Sequence, residues 1–478
     1  MQYIPTPRSL MLGLVLVILS GCQTYQPRPL DPQSHLEAFS ARSVHDQSLK
    51  TFIDSLDNPS QNNRAIDSSP YDPSDGISLN EAERIALYYN PDLRIARLQA
   101  GLASADATHA GIWDDPSLNF DALRITDGGN TPWIIGGSLS ITIPISGRLR
   151  TERARADAQT KASLSAIAQA EWNTRIELRR VWNQWSAAHL RAQRNEHLLE
   201  SIIGLASSTT KLAQAGELPS TQALLFEIER VSHIQSIARH RVQATMLKHK
   251  LHAIMGLPSE AEVELTPAIS TDPVASPPRF EHIVEHHPSL LQLRDEYAIS
   301  EASLLHEIRK QYPDLTIGPA YESEQGESRI GLVAGIPLPI LNSNKQGIAR
   351  ARAQRELARG VYETQLERHR SALAVALLNA NSAQRQRTQM ESTLVPLVDK
   401  QLTDAQRLLE LGESDGLVLL ESLQRAGQTT NEIIDARLAE AMATTELEAL
   451  IGLIPSTQLP PSTHAQPINN PTTPEGTE

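Results

Sequence analysis

Residues 148–203 contain neither glycine nor proline, and most are strong helix formers. One helix over those 56 residues would run about 84 Å at 1.5 Å per residue. A small globule is narrower than that, so the segment must lie along other long helices or along other chains. The composition agrees: with 40% hydrophobic but only 4% aromatic residues, the chain favours extended helical packing over a compact aromatic core. Gly216-Glu217-Leu218-Pro219 breaks the run, and a second helix continues to Gly256-Leu257-Pro258. The net charge of −13 leaves no basic excess to neutralise phosphates, which excludes a nucleic-acid partner.

Two strand-like segments precede the long run. Over 117–122, Leu118, Phe120 and Ala122 alternate with Ser117, Asn119 and Asp121. Over 138–145, Leu139, Ile141, Ile143 and Ile145 alternate with Ser138, Ser140, Thr142 and Pro144. With Gly128-Gly129-Asn130 between them they predict a hairpin with one apolar and one polar face. A helix over 78–112, opened by a Ser78/Glu81 capping box and interrupted at Asn90-Pro91, precedes the hairpin.

The whole pattern then recurs. Asn90-Pro91, Asp115-Pro116 and Arg153-Ala154-Arg155-Ala156 reappear 197 residues later as His287-Pro288, Tyr312-Pro313 and Arg350-Ala351-Arg352-Ala353. Gly216-Glu217 and Gly256-Leu257 reappear 196 residues later as Gly412-Glu413 and Gly452-Leu453. Such fixed spacing marks a duplication. The second hairpin alternates through Leu315, Ile317, Pro319 and Tyr321, then Ile330, Leu332, Ala334, Ile336, Leu338 and Ile340. Pro144, Pro337 and Pro339 cannot donate to a ladder, so they mark where each strand leaves the sheet for the helix. The chain therefore divides into a leader (1–21), an extended, mostly irregular arm (22–77), a first repeat (78–258), a linker (259–278), a second repeat (279–455) and a Pro/Thr-rich tail (456–478) expected to be disordered.

Arg8, an apolar run over 10–19 and Leu19-Ser20-Gly21-Cys22 read as a lipoprotein signal. Cys22 is the only cysteine, so acylation there is its expected use and no intramolecular disulfide is possible. No later segment has 18 consecutive apolar residues, so any further membrane crossing must be by β-barrel. Four strands cannot close a barrel, and the smallest outer-membrane barrels have eight, so several chains would have to pool their hairpins.

With these features the chain resembles the TolC-like outer-membrane efflux proteins over roughly 78–455. The resemblance rests on the lipoprotein start, the duplicated unit, the run ALYYNPDLRIARLQAGLASADATHAG, the junctions IPISG and IPLPIL, and the tips KLAQAGELPSTQALLFEIE and RLLELGESDGLVLLESLQ. It implies a mainly α fold with a small membrane β part. A homotrimer would form a 12-stranded β-barrel in the outer membrane, continued by a 12-helix periplasmic α-barrel. It also implies a passive exit duct for small solutes such as drugs or metal ions, working with a periplasmic adaptor protein and an inner-membrane pump. The protein would have no enzymatic activity and no cofactor. On that resemblance the tips, Gly216, Glu217, Leu218 and Ser220 with Gly412, Glu413, Ser414 and Leu417, dock the adaptor. Glu217, Glu413 and Asp415 would form acidic gating rings; their alternative role is as solvated helix-end carboxylates. The arm, with Tyr25-Gln26-Pro27-Arg28-Pro29-Leu30, resembles members that serve pumps of the resistance-nodulation-division type.

Other candidates are weaker. Pro396 has Glu200 as its first-repeat equivalent and should bend only the second long helix. His282-Ile283-Val284-Glu285-His286 spells the H-x-x-E-H pattern of inverted zinc peptidases. The matching first-repeat positions are Ile85, Tyr88 and Tyr89, and no downstream acid is indicated, so no metal site is expected. His249 and His252, spaced i and i+3, could share a metal; the alternative is that, with His233 and His240, they form a wet helix face. Trp113 and Trp133 suit either a lipid–water boundary or, for Trp113, helix packing. Trp172, Trp182 and Trp185 suit packing between helices. The competing functional classes are a polypeptide-secretion (type I) duct of the same architecture, a periplasmic coiled-coil adaptor lipoprotein, and a zinc hydrolase.

Overall fold

The computed structural model of the chain describes residues 25–57, 70–124, 126, 133–269, 278–324, 327–411 and 416–452. Cys22, Gly412, Glu413, Ser414, Asp415, the leader, the hairpin loop at Gly128 and the tail lie outside them. There are two compact units, divided after Arg42. The first holds α1 (Pro32–Ser40), which Asp31 caps by accepting the Ser34 N–H at 3.1 Å.

The second unit follows the expected element order twice. α2 (Gln47–Asp57), α3 (Leu79–Tyr89), α4 (Pro91–His109), β1 (Ser117–Arg124), β2 (Trp133–Ile143), α5 (Arg148–Gln214) and α6 (Ser220–Met255) come first. Next come α7 (Phe280–His286), α8 (Pro288–Arg309), β3 (Leu315–Glu324), β4 (Glu327–Gly335) and α9 (Lys345–Gln389). A π-helical turn (Met390–Leu394), α10 (Val395–Glu410) and α11 (Gly416–Ile451) complete it. The 67 residues of α5 run about 100 Å. α5 passes through Gly204, because one glycine costs only about 1 kcal/mol in a helix and the helix is held along its length.

The arm expected to be extended carries two helices, α1 and α2. Leu49 and Ile53 on α2 are fully buried with Trp182, Trp185, Leu178, Leu251 and Met255, in a cluster joining α2, α3, α5 and α6. Ser78 makes the capping box with Glu81, and Ile77 bridges to Leu265 beyond α6.

The two Pro-containing landmarks do the same work with different side chains. Asn90 accepts the N–H groups of Asp92 and Leu93 at the start of α4 and donates to the Ile254 carbonyl near the end of α6, at 2.8 Å. His287 accepts from the Ser289 N–H at the start of α8 and donates to the Ala449 carbonyl near the end of α11, at 2.9 Å. Each residue caps one helix and ties off the last turn of another. His369, against the His287 ring at 4.4 Å, donates to Leu450. The strand-to-helix junctions also correspond: Gly147 (φ 75°) and Asn344 (φ 52°), both left-handed, precede α5 and α9. Pro144 and Pro337 lie just past the ends of β2 and β4. The π turn ends two residues before Pro396, where the missing N–H and the ring disturb the α ladder.

Burial pushes His287 down to about 4 from 6.5, with His369 acting in the same direction against the Ala449 hydrogen bond. Between those values the unfolded chain binds the extra proton. The His287 contribution is therefore complete above about pH 6.5 and is lost as pH falls towards 4. His287→Asn, which installs the first-repeat residue, should remove on the order of 3 kcal/mol of the stability change across that window. Denaturant midpoints at several pH values test this; an unchanged slope in His287→Asn would refute it.

Candidate channel wall and helical tips

The four strands form one antiparallel sheet in the order β1-β2-β3-β4. β2 pairs with β3, so the ladder joins the two repeats. The register puts Leu118 opposite Leu139, Ile141 opposite Ile317, Pro319 opposite Leu332 and Tyr321 opposite Ile330, giving one apolar face. The other face carries Ser117 opposite Ser140, Thr142 opposite Thr316, and Glu322 opposite Arg329. The apolar face is open: Phe120 is 79% exposed, Leu332 70% and Ile330 85%. Every residue of β1 and β4 is exposed, and each of these strands pairs on one side only.

Charged side chains lock the sheet to the helices. Arg148, at the start of α5, reaches Asp314 before β3 at 2.6 Å and Asp114 before β1 at 2.5 Å. Partial burial would raise the Asp314 carboxyl, but hydrogen bonds from Arg148 and Ser146 outweigh it and hold it below the usual carboxylate range.

At the far end of α5, Gly216 (φ 76°) closes a Schellman turn. The Glu217 N–H donates to Leu212 at 2.9 Å and the Gly216 N–H to Ala213 at 3.2 Å. Gly216, Glu217 and Ser220 are exposed, and Leu218 and Leu417 are half-buried. One residue that sequence reasoning passed over holds this end together. Phe226 on α6 is 1% exposed and packs on Ala206 of α5 and Leu420 of α11, which ties the first-repeat tip to the second repeat. Its only sequence signal is that it is one of five phenylalanines. Further along, Glu391 in the π turn meets Arg387 at 2.5 Å and Arg437 of α11 at 2.8 Å, and Arg387 also pairs with Glu440. Partial burial opposes the Glu391 charge, and the two arginines outweigh it and keep its carboxyl below its ordinary range.

No family model and no curated protein matches the sequence. Solved structures do match. The outer-membrane channel OprN aligns with a TM-score of 0.67 at 17% identity, over 90% of this chain and 98% of its own. The Campylobacter jejuni CmeC outer membrane channel aligns at 0.66 and 14% identity, over 89% and 94%. CusC, described in terms of transmembrane channel formation, aligns at 0.65 and 15%, over 83% and 97%.

This is the outer-membrane channel fold.

Within it, the remaining candidates fall into place. Trp172, Trp182 and Trp185 are buried between helices, whereas Trp113 and Trp133 are more than half exposed. His252 is not on a wet face as expected: it is buried, with Nδ1 3.2 Å from the Pro258 carbonyl, and burial favours its neutral form. His233 pairs with Glu229 at 3.1 Å. No helix of the described residues is long and apolar enough to cross a membrane.

Phe226→Ala should leave the sheet and the Trp182 cluster intact but loosen the tip locally by about 3–5 kcal/mol. Hydrogen exchange read by peptide should then show faster exchange over 206–230 and 416–425 only. Unchanged exchange there would refute the role given to Phe226.

Proposed function

We propose that this chain is the outer-membrane exit duct of a tripartite efflux system, assembled as a homotrimer. It would passively conduct small solutes delivered by an inner-membrane pump and a periplasmic adaptor. The observation that carries the reading is the four-stranded sheet with an open apolar face and two unpaired edges. In hydrocarbon each unpaired backbone group costs several kcal/mol, so the β1 edge of one copy must meet the β4 edge of the next. Three copies give twelve strands, a closed barrel with the Ser/Thr/Asn face lining a watery lumen. The exposed Leu224, Ile228, Val231, Val242 and Met246 along α6 support the same partner, a second copy covering the helices.

In this reading acylated Cys22 anchors the arm in the outer membrane. The tips at Gly216, Glu217, Leu218, Ser220, Gly412, Glu413, Ser414 and Leu417 receive the adaptor. Glu217, Glu413 and Asp415, each repeated three times, ring the periplasmic entrance with negative charge.

Adjacent residues of β4 test the reading. Leu332→Arg places a charge on the apolar face, at a cost of about 2–4 kcal/mol near the bilayer midplane, and should abolish trimer in the outer-membrane fraction. Gly331→Arg, on the polar face with open space around its Cβ, should insert normally and lower single-channel cation conductance in planar bilayers. Normal insertion of Leu332→Arg would reject the proposal.

A further inference from the structure

α7 has seven residues and a fixed seat. Ile283 is 1% exposed and packs on Leu373 and Ala376 of α9 and on Leu447 and Ile451 of α11. Phe280 joins that cluster beneath the Arg370 guanidinium, 5.8 Å away. With the helix pinned through those residues, His282, Glu285 and His286 are left on its solvent-reachable side, the histidines half-buried and the glutamate exposed. The two rings lie 4.2 Å apart between centroids. One ligand atom from each of the three side chains lies within 4.8 Å of the others, and they form the one such group of three among the described residues.

The hydrogen bonding favours a ligand role. His286 Nδ1 is 2.9 Å from the His282 carbonyl oxygen. A carbonyl only accepts, so Nδ1 carries the proton and the neutral ring keeps its free lone pair on Nε2. A backbone carbonyl holding the second ring nitrogen is the usual way a metal-binding histidine is oriented. Two imidazoles and a carboxylate suit Zn²⁺, Cu²⁺ or Ni²⁺, whereas Ca²⁺ and Mg²⁺ prefer all-oxygen sets.

We propose that His282, Glu285 and His286 bind one divalent transition-metal ion per chain, with water completing the coordination. The site belongs to the second repeat alone, since Ile85, Tyr88 and Tyr89 stand at the matching first-repeat positions. It departs from the sequence expectation of no metal. It is a binding site rather than a peptidase centre, because Glu285 enters the ligand set instead of standing apart as a base. A bound ion bridges one turn of a helix too short to be stable by itself, and so stiffens α7 while Ile283 and Phe280 hold it against α9 and α11.

The test uses the full-length, untagged protein in detergent, stripped with chelator and titrated calorimetrically with zinc chloride. One zinc per chain is expected, together with a rise in thermal midpoint on adding zinc. The His282→Ala/His286→Ala double variant should bind more than about tenfold more weakly and lose the zinc-dependent rise, since even an outer partner of a metal ligand is worth that much. Where the double variant fails to elute as the wild-type oligomer, Glu285→Gln supplies the reading through a smaller loss of affinity. No zinc uptake by the wild type overturns the proposal. So does uptake that the histidine substitutions leave unchanged, which would locate the metal elsewhere, for example at His249.

Discussion

The structure depends on the backbone hydrogen-bond requirement of its sheet. β2 and β3 satisfy both sides of their ladders inside one chain, and β1 and β4 do not. Water can satisfy such edges; hydrocarbon cannot. The exposed Leu/Ile/Phe face makes water the wrong solvent for the sheet, while the unpaired edges make lipid the wrong solvent for a single copy. In the proposed assembly, pooling edges between copies would resolve both conflicts. The second strand of each hairpin leads through a short connection, 144–147 or 336–344, into a helix too long for a globule.

The duplication makes this economical. The β2–β3 pairing fuses two hairpins into one sheet, and each chain then carries four strands with only two open edges. The repeats have diverged without losing their mechanical joints. Asn90 and His287 each cap one helix and tie off another, and Gly147 and Asn344 each supply a left-handed turn ahead of a long helix. Asparagine and histidine are both small polar groups that can donate and accept at once, which is what the joint needs. The substitution of His for Asn makes only the second joint titratable.

Much of this was legible in the sequence because the signals were long or repeated. Helix-forming runs, period-two alternation and landmarks at constant spacing each sum over many residues. What stayed hidden was local or spatial. β2 begins at Trp133, ahead of the expected 138, because Ile134 falls on the polar face and Gly136 and Gly137 break the alternation. Gly136 is small because Asp121 crowds it, and Gly318 because the Leu139 carbonyl does, neither of which a strand pattern announces. α1 and α2 lie in a polar, proline-rich arm where Leu49 and Ile53, with the half-buried Phe52, supply the packed face of α2. Phe226 and the Arg148 bridges join residues far apart in the chain, and single-sequence periodicity carries no information about them. The H-x-x-E-H motif is legible in the sequence, but its ring geometry and tautomer are properties of the folded chain.

The central claim is that β1 and β4 find partners on neighbouring copies. Amide hydrogen exchange on the assembled protein in membranes measures this directly. Protection of the β1 and β4 amides comparable to that of β2 and β3 is the predicted result. Edge amides that exchange like an open strand in the intact protein would contradict it.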